Sequence, residues 1–402
     1  MPHAKHHALP IYLAAGCVFA AYAVRSFALP LRVVELGGDK VVIGLLFSVS
    51  TVAAAGLSLP AGFLGDRFGK RTLLILSIAV GGLSQLGMGL SGSVAPLFVW
   101  QALAGIGIAG AQAALMSALA DVVPAARIGR AMGWITLAIQ SGLLVGPALA
   151  GTSLHWISLG TALAVSSALF GLALLTTLVM TSTPGRAVGW NLVGPLREIA
   201  GTRAFAVATV AMLAGTLFSG TMQAYLPVFG KQQLGLTAQQ VGYMIAIQAV
   251  ASGLARIPGG LIVDRLTNRV LLVVCGLALY GVAVAALPHL AGFWAATVLL
   301  ALSATILAVV FIALGVVFTN LSTPDTRGVA MGVYGSVMFL GLGFGPATFG
   351  AVMEHAGYVA GFTACAATGL LMAALTAALR SDRLRRLRPY LTRATTATTS
   401  PP

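Results

Sequence analysis

Two residues carry a chemistry at odds with their surroundings. Arg25 and Arg256 both stand inside long apolar runs of this 402-residue chain. A guanidinium stays protonated at any pH a cell reaches, and in hydrocarbon it needs a cavity, an anionic ligand or a set of polar partners. None of the nine acidic residues shares those runs. Glu35, Asp39, Asp66, Asp121, Glu198, Asp264, Asp325, Glu354 and Asp382 all fall at or beyond the run ends. Cations with no buried acid suit contact with an anion; bonding to carbonyls or glutamines is the structural alternative for Arg256, and snorkelling to the outer interface is that for Arg25.

Other reactive constellations are missing from the sequence. No Ser/His/Asp set, metal-spaced cluster or phosphate-binding glycine loop stands in a credible context, so neither catalysis nor a cofactor or metal is expected, and ATP is not a direct energy source. Cys17, Cys275 and Cys365 lie in apolar runs without ligand or CxxC spacing. His155, His289 and His355 fall in or beside the connections between runs.

The elements that must position the arginines follow from composition. Hydrophobic residues make up 58% of the chain, charged residues 8%, and the mean hydropathy is +0.96. Soluble domains carry about 25% charged residues, so lipid is the main solvent. About 20 apolar residues cross a bilayer as a helix, because hydrocarbon leaves backbone polar groups to bond within the segment. Twelve spans are predicted, at 9–31, 41–63, 72–92, 96–119, 131–152, 157–180, 204–228, 238–262, 270–288, 292–318, 331–353 and 358–379. The first is too long for a signal-peptide core and reads as a retained span. The fold class predicted is an all-α membrane protein of two six-helix bundles. Its divisions are a first bundle over 1–180, a linker over 181–203, a second bundle over 204–380 and a basic tail over 381–402.

Charge placement orients this scheme. The net charge of +14 would suggest nucleic acid in a soluble protein, but its distribution excludes that partner here. With the N-terminus inside, eighteen of the Lys and Arg residues fall on inner segments and only Arg32, Lys40 and Lys231 on outer ones. That is the positive-inside pattern. It predicts a multi-pass protein of the cytoplasmic (inner) membrane with both termini cytoplasmic and the basic tail near anionic headgroups.

The halves repeat at an offset of 198 to 199 residues. Gly44, Pro60, Asp66, Arg67 and Arg71 map onto Gly242, Pro258, Asp264, Arg265 and Arg269, and Gly133, Gly142, Gly146 and Pro147 onto Gly332, Gly341, Gly345 and Pro346. A parallel duplication of this kind places a cavity between two halves that rock about it.

The segment Gly62-Phe-Leu-Gly-Asp66-Arg67-Phe-Gly69-Lys70-Arg71 resembles the cytoplasmic-loop signature of the major facilitator superfamily. Gly133, Gly142, Gly146, Pro147 and Gly151 resemble the antiporter motif of its drug-efflux members, with Ala150 where the consensus has glycine. The resemblance covers nearly the whole chain. It implies that Asp66 latches the halves on the cytoplasmic side, with Arg67, Lys70 and Arg71 pairing with inner-end acids, Asp121 the nearest candidate. Asp264, Arg265 and Arg269 form the second-half copy, without the glycine and lysine of the first. Glycines in the fifth and eleventh spans imply close helix packing. An arginine at the place of Arg256 is frequent in the family and contacts the substrate carboxylate in monocarboxylate carriers. The fourth-span position where many proton-coupled exporters carry arginine is Gln101 here.

Arg256 lies eight residues before Asp264, about 12 Å up its helix. Arg25 is nearer the outer end, and its repeat partner Gln223 supports a cavity-facing position for both. Tyr22, Gln112, Gln140, Tyr225, Gln248 and Tyr334 are further substrate-contact candidates. The leading reading is a monomeric secondary transporter that exports small amphipathic or drug-like compounds by alternating access, with protons or another ion as coupling partner. An organic-anion transporter using the intramembrane arginines and a non-transporting sensor on the same fold are the alternatives.

Overall fold

The computed structural model describes residues 3–124, 127–180, 202–266, 268–320 and 327–397. Helix follows helix, and no strand occurs among the described residues. The first half holds α1 (His3–Glu35), α2 (Lys40–Phe68), α3 (Lys70–Leu90), α4 (Ala95–Val122), α5 (Ile128–Ser153) and α6 (Leu159–Leu178). The second holds α7 (Arg203–Gln232), α8 (Ala238–Arg265), α9 (Arg269–Ala286) and α10 (Phe293–Asn320). The last helical stretch, Arg327–Ala397, is broken at Gly357, with φ 81° and ψ 172°. Its apolar part, Gly332–Leu379, runs to 48 residues, twice what one crossing needs. The arms 327–356 and 358–397 are therefore two spans, α11 and α12, completing the predicted twelve. Of the predicted linker, residues 181–201 lie outside the described residues; the tail continues α12 as far as Ala397.

Local chemistry sets the helix ends. Asp39 caps α2 by accepting a bond from the Val42 amide at 2.8 Å. Thr237 and Gln240 form a reciprocal capping box on α8. Gly69 alone separates α2 from α3, with φ 91° and ψ 134°, a conformation open only to glycine without strain. That is why the loop motif needs it.

Both halves are assembled alike. In the first, α1 packs on α5 and α6, α2 on α4, and α3 on α4 and α6. In the second, α8 and α9 pack on α10, while α7 and α9 meet the last helical stretch. Gly345 of α11 abuts the Leu217 carbonyl of α7, and Phe362 of α12 meets Phe229 of α7 edge-on at 5.2 Å. In lipid, association rests on such close van der Waals approach rather than on hydrophobic exclusion from water. A Cβ on Gly142 would sit 2.5 Å from the Gly16 carbonyl oxygen, and one on Gly146 2.6 Å from that of Ala20. The predicted packing glycines of α5 thus seat α1 of their own half, as Gly341 and Gly345 of α11 seat α7. Gly133 has nothing close to it.

The halves meet along α2 with α11, α5 with α8, and α1 with α7. The bundle's outer surface stays apolar, with Val179, Leu254 and Leu371 each more than two-thirds exposed. Trp156 and Trp294 stand exposed at the end of the bundle that carries Lys40, as interfacial tryptophans do.

Candidate functional site

A cavity of about 290 Å³ lies between the halves, walled by α1, α5, α7, α8, α9 and α10. Its apolar surface comes from residues such as Phe27, Leu143, Met222, Leu226, Leu307 and Phe311. Of the predicted contact residues, Arg256, Tyr22, Gln140, Gln223 and Gln248 line it. Serines 26, 219 and 252 and Tyr280 complete the polar set. No carboxylate is among the lining residues. Arg256 is exposed into this space, makes no ion pair or hydrogen bond among the described residues, and has Tyr334 as its electrostatic neighbour.

The other candidates fall elsewhere. Tyr225 is fully buried and donates its hydroxyl toward the carbonyls of Lys40, at 3.0 Å, and Pro346, at 2.7 Å. It belongs to a seal rather than to the cavity wall. Tyr334 packs edge-on against Phe318 at 5.3 Å, and Gln112 on α4 is half-buried away from the lining. Arg25 sits behind the cavity wall, 6% exposed. Its Nη1 donates to Oε1 of Gln101 at 3.0 Å, and its guanidinium stands 5.0 Å from the centre of the Tyr22 ring.

On the Lys40 side the cavity is closed in layers. Tyr22 donates to Oε1 of Gln223 at 2.8 Å, joining α1 to α7. Beyond lies the Tyr225 knot, and beyond that Lys40, whose Nζ pairs with Glu354 at 3.0 Å. His155 and Gln239 meet at 3.0 Å on the α5–α8 side. Toward Asp66 such bridges thin out among the described residues. The cross-half bond nearest that end among the described residues runs from Ser336 to the Ala55 carbonyl, about 16 Å up α2 from Asp66. Among the described residues the loop motif makes its contacts within its own half, and the Nε of Arg71 is buried without a partner. Lys70 bridges to Asp121 at 2.6 Å and to Asp66 at 3.9 Å, Arg71 donates to the Leu178 carbonyl at 2.6 Å, and Arg67 lies beside the Phe63 and Phe68 rings. In the second copy, Arg269 donates to the Val263 carbonyl at 3.2 Å, while Asp264 and Arg265 end α8 exposed. Among the described residues the cavity is sealed toward Lys40, and no cross-half hydrogen bond or ion pair lies nearer Asp66 than that of Ser336.

The profile of the Major Facilitator Superfamily matches residues 11–246 and 204–399, two overlapping matches that together span both halves. The chain belongs to that superfamily. An uncharacterised transporter of the superfamily from Methanocaldococcus jannaschii is 23% identical over 334 residues, covering 80% of this chain and 84% of its own. Multidrug resistance protein 2 of Bacillus subtilis is 27% identical over 139 residues, a third of either chain. Among solved structures, a bacterial homologue of the human lysosomal transporter Spinster, inward-facing and unoccupied, superposes with a TM-score of 0.76 at 15% identity over 94% of this chain and 96% of that one. This facilitator protein is therefore a transporter. Sequence reasoning missed the Tyr225 seal, the Arg25–Gln101 contact and the cavity serines. The signal for the seal was present in the repeat, where Gly44 pairs with Gly242 and Pro147 with Pro346.

Proposed function

We propose that this facilitator protein carries a small amphipathic organic anion, binding it in the central cavity through Arg256 and exposing it to each side of the membrane in turn. The observation that carries this reading is an exposed guanidinium with no ion pair or hydrogen bond among the described residues, on a wall that holds no carboxylate. A carboxylate ligand would supply the missing charge, and a planar bidentate contact is what guanidinium makes best. The apolar wall would take the rest of the molecule, with Met222 adaptable to shape. The positive-inside pattern puts the Asp66 face in the cytoplasm. The open conformation would then load from inside, which favours export across the cytoplasmic membrane.

Purified protein in proteoliposomes preloaded with aromatic and aliphatic carboxylates tests this by counterflow. Saturable exchange of at least one carboxylate, lost in Arg256→Gln, is expected. Exchange of every carboxylate at the rate of empty liposomes would sink the reading. An imposed pH gradient in the same vesicles reports whether protons are the coupling ion.

A second reading, export of neutral or cationic drug-like compounds, is favoured by the multidrug relative and by the largely apolar wall. Unchanged growth inhibition of an overexpressing strain across a panel of such compounds would count against it.

A further inference from the structure

A second, smaller cavity of about 20 Å³ lies behind the wall of the first, enclosed by α1, α2, α4 and Phe339 of α11. Arg25, Ser50 and Gln101 line it, and Tyr22 and Ser26 line both cavities. Space of ~10–15 Å³ accommodates one water-sized particle. Arg25 offers five N–H donors, yet its one hydrogen bond among the described residues is that to Gln101. Ser50 is 7% exposed, and among the described residues its hydroxyl has no hydrogen-bond partner. No ion pair among the described residues includes Arg25. An uncompensated charge at that depth is strongly destabilising, and a neutral amide at 3.0 Å with the Tyr22 ring at 5.0 Å lessens it without cancelling it.

We infer that this pocket is a binding site for a small inorganic anion of halide size, held by Arg25 with the hydroxyls of Ser26 and Ser50 and the Nε2 amide of Gln101. The ion neutralises Arg25 in place of a side-chain carboxylate. It enters through the main cavity, past Tyr22 and Ser26. The site is distinct from Arg256, which faces the larger cavity on another helix, so it stands whether or not the organic-anion reading holds. Because Tyr22 also donates across the halves to Gln223, occupancy acts beside a contact that must break when the halves separate.

The test is the apparent melting temperature of the purified full chain, titrated with chloride against gluconate at constant ionic strength. A ligand of the folded state raises that temperature with its concentration. The wild type is expected to rise with chloride, and Arg256→Gln to rise equally. Gln101→Glu places a carboxylate beside Arg25 and is expected to lose the shift while remaining as stable as the chloride-loaded wild type. Bromide-soaked crystals of the wild type, read by anomalous scattering, are expected to show a peak between Arg25 and Ser50. Equal melting of the wild type in chloride and gluconate overturns the proposal, as does a shift that survives Gln101→Glu. A shift abolished by Arg256→Gln instead, or a bromide peak at Arg256 alone, also overturns it.

Discussion

A Cβ added to Gly242 would lie 2.5 Å from the carbonyl oxygen of Pro147. The repeat mates of these residues stand in the same relation, with Gly44 of α2 pressed on the Pro346 carbonyl of α11. One step outward, Gly151 faces the Ala238 carbonyl and Gly350 that of Lys40. The α5–α8 and α2–α11 contacts are thus one interface made twice, and both sit on the sealed side.

Because the obstructing atoms are backbone, Gly242→Val cannot be absorbed by a rotamer change. Overpacking of this kind costs about 1–3 kcal/mol, charged only against the conformation closed toward Lys40. The expected result is a shift toward the opposite conformation with the fold intact. Cysteine-modification rates at cavity positions from the Lys40 side check it; unchanged rates would contradict it.

Tyr225→Phe keeps the ring and removes the hydroxyl that serves Lys40 and Pro346. Leaving buried polar groups less satisfied costs roughly 1–3 kcal/mol, again in one conformation only. Spin labels across α2 and α11 near Lys40 should show a larger population of long distances in this variant.

For Arg256, charge and geometry separate. Arg256→Gln should reduce organic-anion flux by about tenfold or more, the scale of a charge-assisted hydrogen bond. Arg256→Lys should restore part of it, because the charge returns without the planar fork. Equal flux in all three would remove Arg256 from substrate binding.

Lys70 and Asp121 form a partly exposed pair. Such pairs contribute about 1 kcal/mol or less, so Lys70→Ala should barely move the melting temperature. If the loop motif latches the opposite conformation, flux should fall all the same. A large loss of stability with normal specific flux would reverse that assignment.

The sequence disclosed more about the fold than about the site. Runs long enough to cross a bilayer, divided by cationic turns, made all twelve spans readable, and few acids made Asp121 easy to single out. A repeat also tells which residues are equivalent, which is how Gly44 and Gly242 stood out. It does not tell what each touches. Helical periodicity assigns a face, not the neighbour beyond it, so Tyr225 read as a cavity residue although its hydroxyl ends between two helices. Arg25 and Gln101 are far apart in the chain, and only the packing of α1 on α4 brings them together.

The two copies of the seam differ in two respects. Tyr225 and the Lys40–Glu354 pair strengthen α2–α11, whereas Phe27, the repeat mate of Tyr225, has no hydroxyl to offer α5 and α8. Bonds along α2–α11 also reach deeper, to Ala55 and Ser336. Among the described residues α2–α11 is therefore the more heavily bonded copy of the seam, and opening toward Lys40 has more to break there than along α5–α8.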